Sequence, residues 1–222
     1  FDGYCSEMYF GQVGKNQLGV YLAMRRNHFM NILLLKETEE GFHVLVEHPL
    51  LYEYDDMNRV HLFKDENNDG IAEIYSLWEP EENTTTKSYQ DYIQVWLQWD
   101  GEEGVRAVDA ILENSAEGYY FRIPLEWLDV LYYDFRSENA MSWIDFYYEN
   151  EEMQYEKVFS FAAIDQYMWD EQMEKKQFFV LGNNPSKSKL YIAEIDNASF
   201  GSFSVNASKL NSCLYIEGGE QK

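Results

Sequence analysis

The sequence has few basic residues and lacks a long apolar run. Its 222 residues include 17 lysines and arginines against 40 aspartates and glutamates, which gives a formal net charge of −23. A field of that sign repels phosphate backbones and anionic lipid headgroups, so we expect neither nucleic acid nor a membrane surface as a direct partner. Apolar runs such as residues 32–35 are far too short to span a bilayer.

Only two cysteines are present, Cys5 and Cys213, and they lie near opposite ends of the chain. No C-x-x-C pair occurs, which excludes zinc-ribbon and thioredoxin-like sites. In an oxidising compartment, a disulfide between the two cysteines would join the ends of the chain. Two free thiols are the alternative, because sequence does not show whether the side chains meet.

Recognisable catalytic motifs are missing as well. The sequence contains no G-x-S-x-G, no P-loop pattern and no H-E-x-x-H. His43, Glu47 and His48 come near an inverted zinc-protease motif, but the spacing is one residue too long, and on a regular strand the two histidines face opposite sides. We therefore expect a protein without catalysis. A hydrolase that uses a pair of its many carboxylates is an alternative.

What the sequence does contain is apolar and aromatic residues in strand-like runs. Hydrophobic residues make up 45%, with 18 tyrosines and 6 tryptophans, so a core can be buried, and aromatic side chains suit a pleated, half-buried surface. Short acidic or glycine-containing turns between the runs favour antiparallel hairpins and meanders over helical crossovers. In the first half, strands are predicted at residues 18–24, 29–37, 42–47, 59–63, 72–78, 92–99 and 105–112.

The second half reads as a mixture of strands and helix. Pro124 is suited to open a first helical turn at residues 124–127. The segment 165–176 carries apolar residues among charges and ends in two lysines, which favour a helix C-terminus, so we expect the one helix there. A long exposed loop is expected at 79–88. Further strands are predicted at residues 119–123, 142–148, 156–162, 178–181 and 189–195.

These patterns predict a β-rich α+β fold built from antiparallel sheets. We expect a β-meander module over residues 1–114 and an α+β module over residues 115–222, which can also pack as one domain.

The most specific pattern is the acidic loop D-E-N-N-D-G-I-A-E at residues 65–73. It places Asp65, Asn67, Asp69 and Glu73 at loop positions 1, 3, 5 and 9, and Gly70 at position 6. Ca²⁺ prefers such a set of carboxylate and amide oxygens, and the glycine permits a sharp turn. The loop therefore predicts a calcium site. An ordinary Asp-Gly hairpin turn with incidental acids is the alternative.

The loop resembles the calcium loop of the FG-GAP and VCBS families, which lies between two strands of a propeller-like blade. Ser76 stands at position 12, where an EF-hand needs a bidentate acid. The resemblance covers about residues 18–113, and we expect the main-chain carbonyl of Ile71 to complete the ligand set with water. Extracellular calcium modules are weak, with Kd of about 10⁻⁴–10⁻³ M.

A second resemblance covers about residues 117–195. The runs F-R-I-P-L-E-W at 121–127, F-Y-Y-E at 146–149 and V-F-S-F at 158–161, with the pair Leu181-Gly182, resemble a domain found in Gram-positive lipoproteins of unknown function. This resemblance implies an α+β architecture and a location at the bacterial cell envelope. It brings no catalytic residues.

Location and partner follow as expectations. The chain begins with Phe1, which fits a secreted protein, or one anchored through a segment missing from this chain. We expect a binding or structural function with an unknown protein or glycan at the cell surface. The alternative to this reading is a carbohydrate- or cell-wall-binding module, for which Trp99, next to a turn, is the candidate ligand platform.

Overall fold

The structure, a computed structural model, describes residues 4–26, 29–51, 61–78, 93–102, 104–138, 141–169, 178–186 and 188–217. These residues form several antiparallel sheets and one short α-helix, which confirms the β-rich α+β class. The described residues within Phe1–Trp78 and Gln94–Ala110 form one compact unit, and those within Glu79–Ile93 and Ile111–Lys222 form a second. The predicted modules at residues 1–114 and 115–222 stay a prediction.

The first unit begins with a four-stranded antiparallel sheet of order β1-β2-β3-β4. Its strands alternate in burial, because successive side chains point to opposite faces. On the inner face, Tyr21, Leu34 and Val46 stand in one row across three strands and are buried. The strands are β1 (Tyr4–Gly14), β2 (Gln17–Arg26), β3 (Phe29–Thr38) and β4 (Gly41–Leu51).

The inner face packs against a hairpin that carries the acidic loop. The Tyr21 ring stacks on Phe63 with ring centroids 5.3 Å apart. The main-chain N–H of Ala72 donates to the carbonyl of Gln12 at 3.0 Å, so the end of the loop is tied to β1. In the order of the second sheet, the hairpin strands are followed by β7 and then β8. The strands are β5 (Phe63–Lys64), β6 (Glu73–Trp78), β7 (Ile93–Trp99) and β8 (Val105–Asn114).

The second unit is built on a five-stranded antiparallel sheet of order β10-β11-β12-β14-β13. Strand β9 pairs with the end of β8 on one side and with β17 on the other. The strands are β9 (Tyr119–Arg122), β10 (Leu131–Glu138), β11 (Met141–Glu149), β12 (Tyr155–Asp165), β13 (Phe178–Asn183), β14 (Lys189–Ile195), β15 (Ser199–Phe200), β16 (Phe203–Ser204) and β17 (Leu214–Ile216), and the α-helix is α1 (Ala207–Cys213).

Aromatic side chains fill the core of the second unit. Phe146 and Phe159 stack with centroids 4.4 Å apart, and Phe121 contacts Phe161 at 5.3 Å. Trp127 is fully buried at the end of a 3₁₀-helix, Leu125–Trp127, which begins directly after Pro124. The predicted helical turn at 124–127 is therefore confirmed, and its function is to place an indole in the core.

The predicted helix at 165–176 is wrong where the structure describes it. Strand β12 continues to Asp165, and a 3₁₀-helix follows at Gln166–Met168. Met168 and Trp169 pack against a buried cluster on β11, β12 and β14, so the apolar spacing reflects packing onto a sheet rather than a helical stripe. Residues 170–176 lie outside the described part.

The α-helix lies instead in the small, polar tail. The Asn206 side chain caps α1 by accepting a hydrogen bond from the Lys209 N–H at 2.9 Å, and Leu210 and Cys213 are its buried residues. The expected loop at 79–88 and the first residues of the predicted strand 59–63 lie outside the described residues. No helix among the described residues has the length and apolar character needed to cross a membrane.

Candidate metal centre

The acidic loop lies between two paired antiparallel strands, as its flanking sequence predicts. Lys64 at the end of β5 pairs with Glu73 at the start of β6, and Phe63 pairs with Ile74. The loop thus leaves and re-enters the sheet at neighbouring positions, which brings its two ends, and the acids near them, close together.

Side chains of the loop build the turn by binding its own backbone. The Asp65 carboxylate accepts from the N–H groups of Asp69 and Gly70, each at 3.0 Å. Gly70 has φ of +87° and Asn68 has φ of 60°, a left-handed region that glycine and asparagine adopt at low cost. The same turn therefore requires the glycine that the calcium pattern places at position 6.

Three carboxylates converge in this turn. One oxygen from each of Asp65, Asp69 and Glu73 lies within 4.8 Å of the oxygens from the other two. Asp69 is exposed, Asp65 is half-buried and Glu73 is fully buried. Of the nearby cations, Lys64 pairs with Glu66 at 2.6 Å, and Arg106 acts on Asp69 only through its field. The three negative charges are thus only partly compensated.

Of the three carboxylates, Glu73 is the one whose charged form is disfavoured by its surroundings. Burial raises the pKa of its carboxyl, the Glu66 N–H that donates to it at 2.7 Å opposes that rise, and the charge of Asp69 adds to it. A buried carboxylate with two acidic neighbours favours any state that brings positive charge to it.

Gln98 on β7 completes the cluster, and sequence reasoning missed it. Its amide Nε2 donates to Asp69 Oδ2 and to Glu73 Oε1, each at 3.0 Å, and the residue is buried. The hydrogen bond from Gln98 lowers the pKa of Asp69. The signal was a pair of glutamines, Gln94 and Gln98, in a strand whose other residues are apolar. The position of Gln98 beside the loop follows from the pairing of β7 with β6.

The two remaining predicted ligands lie in the same turn. The Asn67 amide oxygen accepts from the Asp69 N–H at 2.9 Å, and its Nδ2 donates to Asp69 Oδ2 at 3.3 Å. The Ile71 N–H donates to Asp69 Oδ1 at 2.8 Å. Both residues therefore orient the Asp69 carboxylate. The ligand role expected for the Ile71 carbonyl stays a prediction.

Trp99 is not a surface platform, so the prediction of its exposure is wrong. The residue is 5% exposed, and its Nε1 donates to the Glu102 carbonyl at 3.0 Å. Gly14 lies so close that a β-carbon added there would meet the ring at 3.1 Å. All six tryptophans are among the described residues, and none of them is exposed.

Cys5 and Cys213 are both free thiols in the structure, and a disulfide between them stays a prediction. Cys5 is exposed on β1, and its Sγ donates to the Glu7 carbonyl at 3.2 Å. Cys213 is buried at the end of α1, and burial raises its pKa to about 11. A thiol held in that environment is a packing residue rather than a reactive one.

The histidines of β4 do not form a metal site, although the reason differs from the expected one. A β-bulge at Leu45 places His43 opposite Lys36 and His48 opposite Ile32, so both histidines share one face. They are separated by roughly 13 Å along the strand, which is too far for one ion.

Comparison with protein-family models, with curated proteins and with solved structures finds no match to this chain. The resemblances to the FG-GAP and VCBS calcium loop and to the lipoprotein domain therefore stay predictions. The geometry of the acidic loop is the basis for proposing a function.

Proposed function

We propose that the protein is a non-catalytic calcium-binding protein in which the ion stabilises the β5–β6 hairpin. The observation that carries this proposal is the convergence of Asp65, Asp69 and Glu73 on one point, with oxygens within 4.8 Å of one another. Three carboxylates at that distance repel each other without a cation and attract one strongly.

Calcium fits the donor set better than magnesium or a transition metal. All the candidate ligands are oxygens, which excludes a preference for soft metals. The three carboxylates, the Asn67 amide and the Ile71 carbonyl offer mixed oxygen ligands, and water would complete the six to eight that Ca²⁺ takes. Mg²⁺ demands a near-ideal octahedron and gives up its water reluctantly.

The ion would act as a bridge between elements. Glu73 is the first residue of β6, Asp65 follows β5, and Gln98 holds two of the three carboxylates from β7. Neutralising the cluster would therefore remove the repulsion between acids at the two ends of the hairpin. This is a structural role, and it places the ion in support of a binding surface elsewhere.

The first test is thermal unfolding of the whole chain in calcium, in magnesium and in chelator at equal ionic strength. With Kd of about 10⁻⁴–10⁻³ M, calcium at about 10 mM stabilises the folded state by about 1.4–2.7 kcal/mol. We expect a higher unfolding midpoint in calcium and a smaller rise in magnesium.

Two matched variants decide whether the effect belongs to the loop. Asp69→Asn keeps the shape of a cluster carboxylate and removes its charge, so the calcium effect should disappear. Glu39→Gln removes one charge from the exposed β3–β4 turn of the same unit and should leave the effect intact. A calcium effect that survives in Asp69→Asn, or an unchanged midpoint in the wild type, would refute the site.

The location we propose is extracytoplasmic, secreted or anchored to the bacterial envelope. A weak calcium site is suited to millimolar extracellular calcium, and the acidic surface disfavours nucleic acid and anionic membranes as partners. The partner would be a protein or a glycan at the cell surface. Protease treatment of intact cells should degrade the protein, whereas degradation only after lysis would contradict this location.

The two alternative functions receive less support. A carbohydrate-binding module loses its tryptophan platform, since Trp99 is buried and the other tryptophans are not exposed. Pulldown on peptidoglycan and a glycan array remain the direct measurements for that alternative. An acidic-residue hydrolase has no specific observation in its favour among the described residues.

A further inference from the structure

The outer face of the first sheet is apolar, with exposed side chains on its outer strands and the buried Leu33 within it. Inner-face residues of β1–β4 pack against the hairpin, whereas the opposite face carries large side chains in register across all four strands. Phe10 pairs with Val20, Val20 with Leu35, and Leu35 with Val44, so the four form one continuous row. Phe10 is 70% exposed and Val44 is 55% exposed.

Neighbouring residues widen this row into a patch. Met8 and Leu18 on either side of Phe10 are 67% and 64% exposed, and Phe42 at the β3–β4 end is 61% exposed. Soluble monomers seldom expose contiguous apolar areas of more than a few hundred Å². We call this patch the outer face, defined by Met8, Phe10, Leu18, Val20, Leu22, Leu35, Phe42 and Val44.

The charges of the described side chains on this side of the sheet have one sign. Among the described side chains at outward-facing strand positions, the charged ones are Glu37, opposite Phe42, and Glu47, opposite Leu33. Both are exposed, and Glu39 and Glu40 extend the acidic rim into the β3–β4 turn. Lys36 lies on the opposite side of the sheet, while Lys15 lies in the β1–β2 turn.

The apolar row and its acidic rim together favour one kind of binding partner. A second copy of the chain, with a net charge of −23, would bring like charge against the acidic rim, as would an anionic membrane. A sheet face is covered by helices or by another sheet. Four strands span about 14 Å between the outermost axes, which accommodates one helix of 10–12 Å diameter.

We propose that the outer face docks a cationic amphipathic helix of a partner protein. The apolar stripe of the helix packs on the row from Phe10 to Val44, and its lysines or arginines meet Glu37, Glu47 and the β3–β4 turn. The proposal is independent of calcium, because neither the row nor the acidic rim contains a residue of the metal cluster.

The test uses a synthetic peptide of about 18 residues with leucine at i, i+3, i+4 and i+7 and lysine elsewhere. Its affinity for the whole chain is measured by fluorescence anisotropy, with and without the double variant Phe10→Ser/Val44→Ser. We expect the double variant to weaken binding at least about tenfold. Hydrogen exchange should show protection by the peptide confined to β1–β4.

Control variants separate the outer face from general attraction to an acidic protein. Met153→Ser/Tyr167→Ser removes two residues that are 80% and 83% exposed in the other unit, and it should leave the affinity unchanged. Glu37→Gln/Glu47→Gln keeps the apolar row and should weaken binding of the lysine peptide. The same peptide with glutamate in place of lysine should not bind.

Equal affinity in the wild type and in Phe10→Ser/Val44→Ser would overturn the proposal, and so would binding of the glutamate peptide. Sedimentation that shows a dimer lost in the double variant would assign the face to a second copy instead. Binding to vesicles of zwitterionic phosphatidylcholine, lost in the same variant, would assign it to lipid. Circular dichroism checks that the variants fold. If the double variant unfolds, the peptide affinities of Val44→Ser and of Glu37→Gln/Glu47→Gln test the proposal in its place.

Discussion

Arg136 and Asp145 show how one pair of side chains keeps a charge inside a sheet. Asp145 on β11 is 2% exposed and receives two hydrogen bonds from Arg136 on β10, Nε to Oδ2 at 2.7 Å and Nη2 to Oδ1 at 3.2 Å. The guanidinium also lies over the Trp143 ring at 5.2 Å. Burial acts to raise the pKa of Asp145, but the hydrogen bonds from Arg136 lower it below its ordinary value.

Replacing Arg136 with methionine should destabilise the protein by about 3 kcal/mol at neutral pH, because it leaves a buried carboxylate without its partner. In the wild type, the lowered pKa gives stability that is present at neutral pH and lost as pH falls through the folded-state pKa. In the variant, burial raises the pKa of Asp145 with less opposition, so protonation on acidification relieves part of the cost. The difference in unfolding free energy should therefore shrink between neutral pH and about pH 4.

Urea unfolding at several pH values measures this difference. Arg122→Met, which removes an exposed arginine of the same unit, is the matched control and should cost less than about 1 kcal/mol. A destabilisation by Arg136→Met that does not change with pH would show that Asp145 is not the group that responds.

Residues within one short loop were predictable, and residues that meet through the fold were not. Asp65, Asp69 and Glu73 converge because their spacing and the hairpin fix their positions locally. Gln98 belongs to the site only through the pairing of β7 with β6. Trp99 was misread because its burial depends on contact with Gly14, a residue distant in the sequence.

The β5–β6 hairpin depends on a backbone conformation at its turn. Gly70 has φ of +87°, and a β-carbon added there would contact nothing within 4 Å. Any penalty for a side chain at this position is therefore conformational rather than steric.

Gly70→Ala should lower the free energy of unfolding by about 1–2 kcal/mol, because an ordinary residue is strained in the left-handed backbone region. Gly70→Asn should cost less, since asparagine adopts this region more readily. Both are measured by chemical unfolding in chelator, so that metal binding does not contribute. Equal stability of the alanine variant and the wild type would show that the turn relaxes to another conformation.

Most strands of the described chain were predictable from alternation and short turns, and the helix was not. The predicted segments at 29–37, 105–112 and 189–195 correspond to β3, β8 and β14. Strand β1 escaped notice because polar residues, glycines and two bulges interrupt its pattern. In the described part of the segment at 165–176, Met168 and Trp169 pack onto a sheet, a tertiary role that periodicity does not distinguish from a helical stripe.

The charge of the whole molecule is its most pronounced global property. A net charge of −23 opposes compaction through self-repulsion. Apart from Arg136–Asp145, the ion pairs among the described residues are at least partly exposed: Lys157 reaches Glu194 and Asp196, and Lys189 reaches Glu117 and Asp165. Exposed pairs of this kind each contribute little. Repulsion should therefore outweigh attraction in the response to salt.

Raising sodium chloride from about 0.01 M to about 0.3 M, which shortens the screening length from about 30 Å to less than 10 Å, should raise the unfolding midpoint by a few degrees. The measurement is made in chelator to keep it separate from the calcium effect. Glu39→Gln/Glu40→Gln, which removes two exposed charges from one turn, should show a smaller rise. A midpoint that falls with salt would mean that ion pairs dominate.

The difference in exposure between the two thiols permits selective labelling of the protein at one native cysteine. Cys5 is exposed and pairs with Met24 on the same side of the sheet as Phe10, whereas Cys213 is buried with its pKa raised to about 11. A maleimide dye at neutral pH will therefore attach to Cys5 without any engineered cysteine. A dye on Cys5 of the wild-type chain would report binding of a partner beside strand β1 by a change in its emission wavelength or fluorescence lifetime.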